Sequence, residues 1–192
     1  MKTFIEIGTC DFDTCAPLVA SGSWRGIMCE PVPKYFNSLS EELKDMPYRY
    51  NLNMNNVAIS SADGKVEMAV STTANASSWV RGISHITSEQ HSGARLSDHP
   101  LNAHNYEEEK LKVTAWTLDT LLKHERYIHQ IDLLKIDTEG HELDILEAYS
   151  WDLLPTMIKC EHHHIDDKKL RILLESKGYV VWTEQYDIYA IR

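Results

Sequence analysis

Carboxylates close three separate apolar runs of this chain. Glu6 stands in the first, just ahead of Gly8, Thr9 and Asp11; Glu30 follows Gly26-Ile27-Met28-Cys29; Asp137 follows Leu133-Leu134-Lys135-Ile136 and leads through Thr138, Glu139 and Gly140 to His141. At such points a carboxylate can accept hydrogen bonds from hydroxyls, offset a positive charge, or take and orient a proton. Two histidines, His141 and His162, emerge after different apolar runs. An imidazole with an ordinary pKa of ~6.5 suits proton abstraction near neutral pH. A plainer reading stands beside this one: Glu139 and Glu142 favour a helix N-terminus, and Asp137 caps a turn.

The chemistry requires the runs to be strands that end together. After Asp137 and Gly140 the chain restarts with Leu143, Leu146 and Tyr149 on one helical face, which reads as strand, tight turn, helix. In an open α/β sheet, ligands sit outside the carboxyl ends of the strands. Residues 3–7, the Gly8 turn and a helix-compatible stretch 14–20 repeat the scheme. Glu30 lies 22 positions after Gly8, about the spacing from which a neighbouring strand's carboxylate reaches the ribose hydroxyls of an adenosine.

Further along, residues 33–43 read as a helix with Tyr35, Phe36, Leu39 and Leu43 in the core. Residues 56–60 read as a third strand, in which Val57 and Ala58 can present backbone groups to an adenine edge. Ser61-Ala62-Asp63-Gly64 turns into an alternating strand, 65–70. Strand 113–116, helix 117–122, strand 157–160 and helix 166–177 follow, then an antiparallel pair, 179–183 and 188–191. Such alternation predicts an α/β, doubly wound, mostly parallel sheet with a C-terminal antiparallel hairpin, in one domain spanning 1–192. Periodicity fades over 71–110, which is read as a lid or substrate-binding insertion. Its histidines, His85, His91, His99 and His104, share no strand or helix face and are read as scattered loop residues.

The first turn keeps only the first glycine of a dinucleotide fingerprint, and Glu6, Asp11 and Asp13 would repel a pyrophosphate. S-adenosyl-L-methionine has no phosphate and carries cationic groups, so the same residues favour it over NAD. The formal net charge of −10 argues against a nucleic-acid partner. No window is long and apolar enough for a membrane span, and the N-terminus shows no leader-like apolar region, so a cytoplasmic protein is expected. The four cysteines form no C-x-x-C pair and read as buried reduced thiols.

Residues 131–148, IDLLKIDTEGHELDILEA, closely resemble the hallmark segment of the FkbM family of S-adenosylmethionine-dependent methyltransferases. Agreement extends to FIEIGTCDFDT, CEPVP, NVAISSADG, WTLDTLL and IKCEHH, in the expected order. The resemblance implies the class I methyltransferase (Rossmann-like) fold. It implies that Glu6, Gly8, Thr9 and Asp11 flank the methionine part of the cofactor, that Glu30 holds the ribose, and that Val57 and Ala58 lie by the adenine. Asp137 would stand near the methionine end and the acceptor. Phe12 lies where the family commonly has a second glycine. The chain also starts at the first strand, which suggests an acceptor pocket that is open or completed by a partner.

O-methylation of a hydroxyl on a small molecule or sugar is the expected activity, with His162, His141 and Asp137 as candidates for taking or orienting the proton. No metal is expected. The variant weighed against that is a divalent ion between Asp137, Glu161 and His162. An NAD-dependent oxidoreductase and a non-catalytic cofactor-binding or interaction domain are the alternatives, and a homo-oligomer is compatible with the sequence.

Overall fold

The computed structural model describes residues 1–10, 14–71, 82, 84–87 and 108–192. In chain order the strands are β1 (Lys2–Ile7), β2 (Trp24–Cys29), β3 (Leu52–Asn55), β4 (Ala58–Ile59), β5 (Gly64–Ser71), β6 (His85–Ile86), β7 (Glu108–Trp116), β8 (Leu133–Ile136), β9 (Met157–Glu161), β10 (Val180–Glu184) and β11 (Asp187–Ile191). The α-helices are α1 (Pro33–Glu42), α2 (Leu118–His124), α3 (Glu142–Ala148) and α4 (Asp167–Ser176), and short 3-10 helices form at Ala16–Ser21 and Arg49–Asn51.

Seven strands make the main sheet, in the order β10-β11-β9-β8-β1-β2-β3. From β9 to β3 every pairing is parallel, while β11 runs antiparallel to both β9 and β10. This is the doubly wound, mostly parallel sheet with a reversed C-terminal hairpin that the alternation of elements predicts. A central parallel strand is covered on both faces, which is why Thr3 to Ile7 of β1 is buried without a break. Ile5, Ile7, Leu134 and Ile136 pack against α2, α3 and α4, through Leu121, Leu143 and Leu170 among others. Phe4 and Met28 alternate to the opposite face, against Ala16 and Val19 of the first 3-10 helix and Leu39 of α1.

A second sheet, β4-β7-β5-β6, stands beside the first. Its body is the antiparallel pair β5 and β7, in register from Gly64 opposite Ala115 to Ser71 opposite Glu108. The third strand expected at 56–60 is corrected here: the strand that joins the main sheet is β3, and Ala58 and Ile59 instead pair with Ala115 and Trp116 of β7. Leu52-Asn53-Met54-Asn55 alternates apolar and polar residues over only four positions, and asparagine is depleted in strands, which hid it. The stretch 14–20 is a 3-10 helix rather than an α-helix, with Pro17 near its start and Gly22 closing it at φ 73°.

Most of the predicted insertion, 71–110, lies outside the described residues, as do Asp11, Phe12, Asp13, His91, His99 and His104. His85 is not a loop residue; it is buried in β6. Among the described residues, no helix is long and apolar enough to cross a membrane.

Candidate functional site

Strand order reverses between β1 and β8, so the connections leaving these two strands turn to opposite sides and open a crevice at their carboxyl ends. Gly8 after β1, Glu30 after β2 and Asp137 after β8 line one solvent-open cleft there. Val57 and Ala58 line it too, and its far wall includes Tyr35 of α1, Met68 of β5 and Ile86 of β6. Among the described lining residues the charged side chains are Glu30 and Asp137, both acidic, and there is no Lys or Arg.

Gly8 fixes the floor. Its φ is +80°, and a Cβ there would lie 1.7 Å from the Asp137 backbone oxygen. Only glycine lets the β1 turn cross so close to the end of β8.

Glu30 is 5% exposed, and each of its carboxylate oxygens accepts a backbone hydrogen bond at 2.7 Å: Oε1 from Val32 N–H and Oε2 from Cys10 N–H. A carboxylate offers about four acceptor positions, which suits it to hydroxyl donors. Paired carboxylate acceptors are what the hydroxyls of a vicinal diol such as a ribose call for, and Val57 and Ala58 line the same cleft. Glu6 has a different post. Fully buried, it accepts from Lys135 Nζ at 3.0 Å and from Cys15 N–H at 2.9 Å, so its carboxylate braces the segment after β1. It is not among the residues that line the cleft, and neither is Thr9, whose Oγ1 donates to the Cys29 carbonyl at 3.3 Å.

The opposite end of the cleft is crowded with carboxylates. Burial, and then the Glu139 carboxylate, raise Asp137 to about 6. Glu142, in the first turn of α3, folds back into the preceding loop, where Thr138 N–H (2.6 Å), Thr138 Oγ1 (2.9 Å) and Gly140 N–H donate to it. Its burial nevertheless pushes it up to about 7. Glu142 thus braces the loop that carries Asp137.

His141 is buried, not on the surface. Its Nε2 is 2.9 Å from Ser60 Oγ and its Nδ1 is 3.2 Å from Asp144 Oδ2, which ties α3 to the end of β4 outside the residues lining the cleft. His162 is also absent from the lining. Its backbone N–H donates to the Tyr186 carbonyl at 2.8 Å, and its ring Nε2 is buried without a hydrogen-bond partner.

The structure therefore brings Gly8, Glu30, Val57, Ala58 and Asp137 together and leaves Glu6, Thr9, His141 and His162 off the cleft surface, with Asp11 outside the described residues. Sequence reasoning missed Cys10, Thr138 and the wall residues Tyr35, Met68 and Ile86. Tyr35 looked like an ordinary core aromatic, and a two-residue strand such as β6 leaves no periodic signal. Thr138 could have been found, since it directly follows Asp137.

A sequence profile described as the Methyltransferase FkbM domain matches residues 6–181. Over 95 residues the chain is 30% identical to "Methyltransferase 1" of Beauveria bassiana (strain ARSEF 2860), a match covering 47% of this chain and 38% of that protein. The fold is similar to the crystal structure of Methyltransferase FkbM from Methylobacillus flagellatus KT, with a TM-score of 0.61 and 14% identity, covering 100% of this chain and 43% of the other. At that identity the likeness concerns the fold alone. The matches span about two fifths of the length of these relatives.

Proposed function

Because the chain belongs to the FkbM methyltransferase domain family, we propose that it takes its methyl group from S-adenosyl-L-methionine and delivers it to a hydroxyl oxygen of a small molecule or sugar. One observation carries this reading: Glu30, its carboxylate held at the cleft by backbone N–H donors at 2.7 Å, shares that cleft with Gly8, Val57, Ala58 and Asp137, and no described lining residue is cationic. A cationic nucleoside suits such walls, whereas a dinucleotide's diphosphate would meet two carboxylates and, among the described residues, no basic side chain.

When bound, the cofactor supplies a methyl group on a sulfonium that is already a good leaving group. What remains for the protein is alignment, exclusion of water and proton transfer. Glu30 holds the ribose hydroxyls, and Val57 and Ala58 flank the base. Asp137 is the residue best placed to take the acceptor's proton, because it lines the cleft and is poised at about 6, close to a working pH. His141 is held between Ser60 and Asp144, off the cleft lining. Cytoplasmic action fits the four cysteines, three of them buried and none in a disulfide.

Calorimetric titration with S-adenosylhomocysteine and with NAD, run side by side, tests the cofactor. Binding of the former and not the latter is expected; the reverse overturns the assignment. Transfer of a labelled methyl group to hydroxylated acceptors and not to amine or thiol analogues is the matching result for the oxygen specificity.

A further inference from the structure

The carboxyl ends of β8 and β9 hold a second constellation, next to the cleft but made of other residues. Parallel pairing sets Ile136 opposite Cys160, so the residues that follow each strand leave the sheet side by side. Glu139, at φ 57°, turns toward Glu161, the last residue of β9, and toward His164 in the turn beyond it. One ligand atom from each of Glu139, Glu161 and His164 lies within 4.8 Å of the other two. Ligand atoms around one ion sit ~2.0–2.2 Å from it and so no more than ~4.4 Å apart, close to the spacing found here. The His164 ring nitrogen and a Glu139 oxygen are already 3.3 Å apart, on side chains only 11% and 12% exposed.

A separate observation points to something missing among them. Glu161 Oε2 is shut off from solvent and has no hydrogen-bond partner. Leaving a buried carboxylate oxygen unpaired is costly. The basic residues close by are committed: Lys135 to Glu6 at 3.0 Å and Lys159 to Asp187 at 3.1 Å.

We propose that Glu139, Glu161 and His164 form a binding site for a divalent cation of the Mn²⁺ or Zn²⁺ type. Two carboxylates and one imidazole make a mixed oxygen and nitrogen donor set, for which these ions are better suited than Mg²⁺ or Ca²⁺, which prefer oxygen alone. Three protein ligands leave coordination positions open for water or a ligand oxygen. The ion would stand beside Asp137, whose carboxylate is close enough to Glu139 and Glu161 to feel both charges. The proposal does not rest on the methyl-transfer reading, since it concerns metal binding by the protein alone.

Equilibrium dialysis of the whole chain against MnCl₂ or ZnCl₂, with bound metal counted by mass spectrometry, tests it. About one ion per chain is expected, and Glu161→Gln and Glu139→Gln should each weaken binding about tenfold or more while leaving S-adenosylhomocysteine affinity and the circular dichroism spectrum unchanged. His164→Ala should do the same. Absence of metal from the wild-type protein overturns the site. Undiminished binding in both glutamine variants overturns it too, because the ion would then be held by the His162-His163-His164 run without the carboxylates.

Discussion

The two ends of the cleft differ in how their carboxylates are kept. At the β2 end a backbone N–H donates to each oxygen of Glu30. At the β8 and β9 end Asp137, Glu139, Glu142 and Glu161 crowd together, and Asp137, Glu142 and Glu161 are pushed upward, desolvation being the first cause for each. The first end is finished before any ligand arrives, as a binding post should be. The second is left under tension that a proton, a cation or a reacting hydroxyl can relieve, and perturbed groups of that kind mark where chemistry is done.

The severest way to disrupt this contrast is to pry the two ends apart at the place where they touch. Gly8→Ala puts a Cβ against the Asp137 carbonyl at a φ that alanine resists, so a loss of about 4 kcal/mol or more, or failure to accumulate folded protein, is expected in thermal unfolding. Asp137→Asn should leave S-adenosylhomocysteine affinity within about threefold and lower turnover about 10²–10³-fold. Equal damage to both would move Asp137 from chemistry to binding. At the other end, Glu30→Ala should weaken cofactor binding by about 1.5–3 kcal/mol, and an unchanged dissociation constant would remove Glu30 from the site.

The smallest expected effect is one of pH. Glu142 is raised from 4.5 to about 7 by burial. The folded chain therefore holds this proton through a range in which the unfolded chain has released it. Its contribution to stability is complete below about pH 4.5 and is lost as the pH climbs through about 7. Between about pH 5 and 8 the wild-type protein should lose about 2 kcal/mol relative to Glu142→Gln in denaturant unfolding. Parallel pH profiles for the two proteins would show the crowded end to be less strained than its geometry implies.

Much of this was legible beforehand, and the exceptions have physical reasons. Strand ends marked by a carboxylate after an apolar run were readable at Glu30 and Asp137, because a buried parallel strand must be continuously apolar and its end is where polarity can resume. Glu6 shows the limit of that signal. It too sits at a strand end, yet its charge is spent on Lys135, which parallel register places directly across from it. Nothing local in the sequence announces a partner 129 positions away. His141 fails for the same reason, since Ser60 is 81 positions away. Pairing between β4 and β7 was equally hidden, because two residues give no period to count.

The close crossing at Gly8 has one more consequence. Where the cleft rests on Gly8 and Asp137 its base is main chain, which substitution cannot shave, whereas Tyr35, Met68 and Ile86 line it with side chains that substitution can change. A roomier berth for a bulkier molecule must therefore be carved from those side chains. Ligand preference can drift there while the crossing beneath stays as it is.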